Sequence, residues 1–203
     1  MNKVCLFGAS GHGKVVREIA MSINTLIVAI LDDTPKSNFL HNTPIVSSEK
    51  LPNYADNLFV ISIGNNKIRK KVAERLQNSF TKLIHKESII SPTVSILEGS
   101  VVMAGVKINV DTIVGKHVIV NTGSIIEHDC SLANFVHVSP NATLTGNVHV
   151  GEGTHIGAGA IIIPNIKIGK WAVIGAGSII IEDVPDYAVV VGSPGKIIKY
   201  TNK

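Results

Sequence analysis

Aromatic residues are scarce in this chain: Phe, Trp and Tyr make up 4% of 203 residues, with a single Trp. A globule built around large rings is thereby excluded, and any core must be aliphatic, which the 45% hydrophobic content can supply. Cysteine is nearly absent. Cys5 and Cys130 form no C-x-x-C pair and are too few for a disulfide framework, which points to a reducing cytoplasm. No apolar run approaches the roughly 18 residues of a membrane span, and the N-terminus enters a glycine loop rather than a signal cleavage site. The expectation is a soluble protein with no membrane span. A net charge of +4 favours anionic partners, but the basic residues are scattered and no aromatic-basic stripe marks a nucleic-acid surface. Phosphorylated small molecules suit this charge better.

What the chain has instead is a period. Every sixth residue from Ile90 to Ile180 is Ile, Leu or Val, without a break. Four residues after each comes a second ordered position, mostly small or β-branched, as at Val106, Thr112, Ser124, Cys130 and Ala142. A period of six matches neither the 3.6 of a helix nor the 2.0 of a long strand, but it suits a parallel β-helix of short strands and corners. Three hexapeptides per triangular turn would stack residues eighteen apart at roughly 4.8 Å. The two ordered positions then point inward, and the residues one before and two after the aliphatic point outward. Glycine often follows the aliphatic, as at Gly115, Gly151, Gly157, Gly169 and Gly175, where a corner could demand backbone freedom.

Ahead of the repeat, Lys3 to Phe7 reads as a buried strand, followed by the glycine loop Gly8 to Lys14 and a helix from Val15 to about Ser22. A second apolar run, Thr25 to Leu31, ends in Asp32-Asp33. Leu58 to Ile63 then leads into Gly64-Asn65-Asn66 and a helix from about Lys67 to Gln77, and Lys82 to His85 enters the solenoid. This order opens a nucleotide-binding βαβ unit, whose loop amides can hold phosphate oxygens and whose strand-end loops can bring Gly11, His12, Gly13, Asp33 and Gly64 together. His12, between two glycines, has little packing to do and is placed to meet a ligand. The spacing G-x-x-G-x-G departs from the dinucleotide fingerprint and argues against NAD. The division expected is a Rossmann-like α/β domain over 1–85 and a β-helix over 86–203.

Chemistry must use the outward positions. His128 lies two residues past the aliphatic Ile126, and a neutral imidazole is suited to removing a proton near neutral pH, with Asp129 or Glu127 to orient it. Eighteen residues on stands Gly146, which leaves the ledge above the proposed base free of a side chain. His137 and His155 stack on one face, Ala158 and Ala176 stack as a shallow strip, and Lys167 could meet a phosphate. Spacings of nine, twelve and six among His128, His137, His149 and His155 lack the tight pair of the trimeric carbonic anhydrases, so no metal site is expected.

The motifs GASGHGKV, Asp32-Asp33, SIGNN, NTGSIIEHDC, HVSPNATLTGNV and VVVGSPGKIIK together resemble the bacterial sugar O/N-acyltransferases with a left-handed hexapeptide-repeat β-helix. The resemblance is closest to N-acetyltransferases acting on nucleotide-linked 4-amino sugars in glycan synthesis. It implies a homotrimer with active sites between neighbouring prisms, acetyl-CoA as co-substrate, and a UDP-4-amino-4,6-dideoxy sugar as acceptor. It further implies His128 as general base, Asp129 as the carboxylate raising its basicity and Asn121 as a contact to the acceptor amine. His137, Gly146, Ala158 and Ala176 would lie along acetyl-CoA, and Gly11, His12, Gly13, Asp33 and Gly64 around the nucleotide sugar. Sialic acid O-acetyltransferases share these motifs, and a noncatalytic nucleotide-sugar-binding scaffold is the alternative outside enzymology.

Overall fold

The computed structural model describes residues 3–76 and 78–201. The N-terminal unit is a five-stranded sheet in the order β3-β4-β2-β1-β5, with β1 Lys3–Phe7, β2 Leu26–Asp32, β3 Phe39–Leu40, β4 Thr43–Ser47 and β5 Leu58–Ile61. All neighbours are parallel except the short β3–β4 hairpin, which hydrophobic patterning did not signal. Helix α1, Gly11–Ser22, begins earlier than expected. The loop is therefore only Gly8-Ala9-Ser10, and Gly11, His12 and Gly13 form the first helical turn. Gly13 permits this because a Cβ there would stand 2.5 Å from the Gly8 carbonyl oxygen. Helix α2 runs Asn66–Arg75, with the Asn65 side chain accepting from the Ile68 amide at 3.0 Å; Gln77, the expected end, lies outside the described residues.

The remainder is a left-handed parallel β-helix of two-residue strands in three faces. Its first face carries Val101–Val102, Ile119–Val120, His137–Val138, His155–Ile156 and Val173–Ile174; Leu83–Ile84, ahead of residue 86, already pairs with Val101–Val102 as its lowest rung. The second face runs from Ile89–Ile90 to Ile179–Ile180, and the third from Ser95–Ile96 to Lys167–Ile168. Partners are eighteen residues apart, as with His137 and His155. From Ile96 to Ile180 every repeat aliphatic is buried, and Ile90 packs partly buried against them. The inward hydroxyls of Ser100, Thr112 and Thr154 are satisfied by carbonyls fifteen residues on, as Ser100 Oγ donates to Gly115 O at 2.7 Å and Thr154 Oγ1 to Gly169 O at 2.6 Å, while Ser124 Oγ donates to Asn121 O at 2.7 Å.

The glycines after the aliphatics serve a different purpose from the one expected. Gly115, Gly151 and Gly157 do not have positive φ; a Cβ on them would come within 2.5–2.8 Å of the next rung's backbone. Positive φ instead falls three residues after each aliphatic, at every sixth residue from Gly99 to Gly177. Gly, Asn and Asp fill most of those corners, as left-handed backbone favours. The first face is not free: Leu83, Val101 and Ile119 share one core with Val16, Ile19 and Ala20 of α1. At its upper end the strand Ala188–Val191 pairs antiparallel with the exposed Lys196–Tyr200. Among the described residues no helix is long and apolar enough to cross a membrane.

Candidate active site

His128 sits on the corner between Ile125–Ile126 of the second face and Ser131–Leu132 of the third. Its Nδ1 lies 2.7 Å from Asp129 Oδ2, and both side chains are more than half exposed. Asp129 adopts φ 59°, the corner conformation, which swings its carboxylate back beside the preceding ring. A Cβ on Gly146 would stand 2.6 Å from His128 Cε1 and 2.7 Å from Nε2. The ring therefore lies directly over the glycine ledge expected from the eighteen-residue stack. Cys130 points inward, donating through Sγ to Thr145 O at 3.2 Å, and burial raises its pKa, so it offers no surface nucleophile.

A second cluster forms where the N-terminal unit covers the first face. His137 was expected to be open to a ligand on the prism exterior; it is 9% exposed because the N-terminal unit packs over that face. Asn121 Nδ2 lies 3.1 Å from His137 Nε2, and the His137 ring stacks on His155 with centroids 4.8 Å apart. Ser139 Oγ lies 2.8 Å from His155 Nε2. His12 faces this pair, its ring centroid 6.3 Å from that of His137, and a Cβ on Gly64 would stand 4.0 Å from its Cγ. Desolvation, reinforced by neighbouring cationic groups including Arg69, pushes His12 down to about 4 and His137 down to about 3. Both rings are thus neutral at pH 7. His12 Nε2 and His137 Nδ1 are buried with no protein partner among the described residues.

The other expected residues divide among several places. Ala158 and Ala176 are exposed on the corner between first and second faces, one residue beyond Gly157 and Gly175. Lys167 is exposed on the third face, in a groove of about 500 Å³ shared with Ser131 and His149. Gly11 is exposed, and a Cβ there would meet nothing within 4 Å, while Gly13 is buried against the Gly8 loop. Asp33 does not turn into the strand-end crevice: its carboxylate accepts from Arg75 Nη2 at 3.0 Å and Ser48 Oγ at 2.6 Å, which hold its pKa below the ordinary value despite the opposing desolvation. Asp32 lines that crevice instead, accepting from the Ala9 and Thr34 amides at 2.7 and 2.9 Å. The crevice measures about 290 Å³ and adds Ser10, Lys36 and Ser37.

Two residues that patterning missed organise this end of the sheet. Ser62, fully buried, donates to Gly8 O at 2.7 Å and ties the two strand-end loops together. Arg69, also fully buried, donates to Ile63 O and Gly64 O at 3.0 and 3.1 Å, among other carbonyls. An arginine within Lys67-Ile68-Arg69-Lys70-Lys71 carries no local signal that separates it from solvated neighbours. Among the described residues no group of three or more His, Cys, Asp or Glu is placed to hold a metal ion.

The two histidine centres cannot meet within one chain. In a three-sided prism the corner between the second and third faces lies opposite the first face, so His128 and the His12–His137 cluster are on opposite sides.

Residues 3–76 match the PglD N-terminal domain, and residues 147–182 match the bacterial transferase hexapeptide (six repeats). The chain is 42% identical over 113 residues to UDP-N-acetylbacillosamine N-acetyltransferase of Bacillus subtilis (strain 168), a match covering 51% of this chain and 52% of that protein. It thus spans about half the length of that curated relative. GDP-perosamine N-acetyltransferase of Escherichia coli O157:H7 is 28% identical over 174 residues, covering 75% of this chain and 77% of its own. Among solved structures, PerB from Caulobacter crescentus in complex with CoA and GDP-perosamine superposes with a TM-score of 0.93 at 34% identity, covering 98% of both chains. The acetyltransferase domain of PglB from Neisseria gonorrhoeae FA1090 in complex with acetyl coenzyme A gives 0.92 at 35% identity, covering 98% of this chain and 100% of that one. Fold, both domains and near-complete overlap at this identity agree: the chain belongs to the family of acetyl-CoA-dependent nucleotide-sugar N-acetyltransferases that join a PglD-type domain to a hexapeptide-repeat β-helix.

Proposed function

We propose that this chain acetylates the 4-amino group of a UDP-linked 4-amino-4,6-dideoxy sugar, in the cytoplasm, with His128 as general base. The observation that carries the reading is the His128–Asp129 pair at 2.7 Å over the bare Gly146 ledge. Asp129 accepts from Nδ1–H and fixes the tautomer, which leaves Nε2 as the proton acceptor. The amine attacks the thioester carbon, the N–C bond forms as C–S breaks, His128 Nε2 takes the amine proton, and that proton passes to the departing thiolate. Asn121 contacts the acceptor, His137 lies along acetyl-CoA, and the small residues Ala158 and Ala176 leave room for the slender acyl arm, while the space over Gly146 is taken by the His128 ring itself. Lys167 meets a phosphate of the donor.

The separation of His128 from the His12–His137 cluster supports a homotrimer in which one protomer's corner faces its neighbour's first face. The crevice at Asp32 supports a uridine nucleotide. Its acid is already engaged by two amides, and Ser10, Thr34 and Lys36 offer side-chain donors, while the Ser37 hydroxyl already donates to Phe39 O. Uracil's carbonyls and guanine's O6 and N7 can both accept from such donors, but guanine's paired N1–H and amino donors are best met by a free carboxylate, and the Asp32 carboxylate is engaged. A thiol-release assay with acetyl-CoA against UDP- and GDP-linked 4-amino sugars tests donor, acceptor and base together. Release is expected with the UDP sugar and should fall by about 10²–10⁴ in His128→Ala. Equal turnover in that variant would refute the base, and preference for the GDP sugar would refute the nucleotide.

A further inference from the structure

Among the described residues, the carbonyls of three successive rungs on one corner of the prism have no backbone partner. His117, Phe135 and Gly153 are eighteen residues apart, all with positive φ, on the edge between third and first faces. Their amides bond down the corner to Glu98, Lys116 and Asn134, but the carbonyl oxygens lie outside the strand ladder. A buried carbonyl must find a donor elsewhere. Here the donors come from one face of α2. Arg69 Nε donates to His117 O at 2.9 Å, Arg69 Nη2 to Phe135 O at 2.8 Å, and Asn66 Nδ2 to Gly153 O at 3.0 Å. Asn66 and Arg69 are three apart on the helix and joined by a 2.9 Å hydrogen bond from Nη2 to Asn66 Oδ1, so the pair spans successive rungs as a unit. Meanwhile Arg69 Nη1 holds Ile63 O and Gly64 O, the loop that touches His12.

Arg69 is therefore a buried guanidinium satisfied by carbonyl oxygens of both domains. Among the described residues it forms no ion pair with a carboxylate. An ion of this kind is costly to bury and stays only where its geometry is closely fixed. It joins the Gly64 loop to the prism through one rigid, planar group, so the distance from His12 to His137 depends on it.

We infer that Asn66 and Arg69 are positioning residues for the acetyl transfer, reading a ladder of prism carbonyls so that the nucleotide-sugar domain presents its acceptor in register with the first face. The inference rests on the function proposed above, yet it has a readout of its own. Trp171, the only tryptophan, is on the next rung of the same corner, 5.9 Å from Lys70 of α2. Its emission reports whether α2 is seated.

The test compares Arg69→Gln, Arg69→Lys and Asn66→Ala in the full chain by circular dichroism, Trp171 emission and steady-state kinetics. With the fold intact, Arg69→Gln is expected to red-shift Trp171 and lower kcat/KM for the nucleotide sugar by about 100-fold, as a misplacement near 1 Å can. The KM for acetyl-CoA should move less than about threefold, and Arg69→Lys should recover only part of the loss. Asn66→Ala should shift both readouts in the same direction and by less. Native emission with native turnover in Arg69→Gln overturns the inference. If Arg69→Gln does not fold, Asn66→Ala decides, and its native behaviour on both readouts overturns the inference equally. A chain inactive on every acceptor refutes the proposed function, while the emission shift still judges the docking.

Discussion

At His128 one ring, one carboxylate and one absent side chain meet: the imidazole, Asp129 and Gly146. The imidazole rests where a Gly146 methyl would stand 2.7 Å from Nε2. Gly146→Ala should therefore push the ring off its Asp129 partner without disturbing the inward core, and cost about 100-fold in turnover with an unchanged melting temperature. Full turnover in that variant would show that the ledge is not needed. This part of the site was legible in the sequence, because a strict hexad fixes which side chains point outward and which stack. The same arithmetic could not foresee that Asp33 would bond to Arg75 and Ser48 while Asp32 faces the crevice, since adjacent strand-end acids differ only in local twist. Arg69 was equally hidden, its partners being carbonyls contributed by residues far along the chain.

Elements meet at a seam rich in neutral histidine. His117 packs edge-on to Phe80 at 4.5 Å and stacks on Phe135 at 5.2 Å, and desolvation pushes it down to about 4; His137, in the same seam, is pushed down to about 3. Both lie below the unfolded value of 6.5, so the unfolded chain binds more protons between those limits. The stabilisation from neutral burial is complete above pH 6.5 and is lost as pH falls toward 4. At pH 5 each of these two rings should cost about 1–2 kcal/mol relative to pH 7. Urea midpoints measured from pH 7.5 to 4.5 check this, and His117→Phe should flatten the decline; an unchanged slope would mean the ring is not buried neutral. Sequence patterning assigned His137 to the prism exterior correctly but had no means of knowing that a second domain covers that face, and it did not single out His117 at its corner. Phe135 and Trp171 occupy left-handed corners where Gly or Asn is usual, at a cost of about 1–2 kcal/mol each. Their contacts beneath α2, including Lys70 over both rings, offset it.

For the whole molecule the decisive geometry is the placement of the two histidine centres on opposite sides of one prism. If each site draws His128 from one protomer and His137 from the next, mixing inactive His128→Ala and His137→Ala chains should restore activity. Random trimers would return about a quarter of native turnover, since half of the donors and half of the acceptors at each interface are intact. No recovery after unfolding and refolding the mixture would refute the shared site. The architecture itself was plain from the repeat, including the aliphatic column and the inward Cys130. The β3–β4 hairpin and the docking of domains were not, because short edge strands and interdomain seams leave little periodicity in a chain.

Partners in this coil are eighteen residues apart, so the solenoid works as an address system. Splicing in or excising eighteen residues above Lys167 would lengthen or shorten the column while every lower group kept its compass bearing. A six-residue change would instead rotate all that follows by about 120° onto a different side. Loss of one hexapeptide between His128 and Gly146 would thus put a different residue above the imidazole, with the aliphatic core still filled.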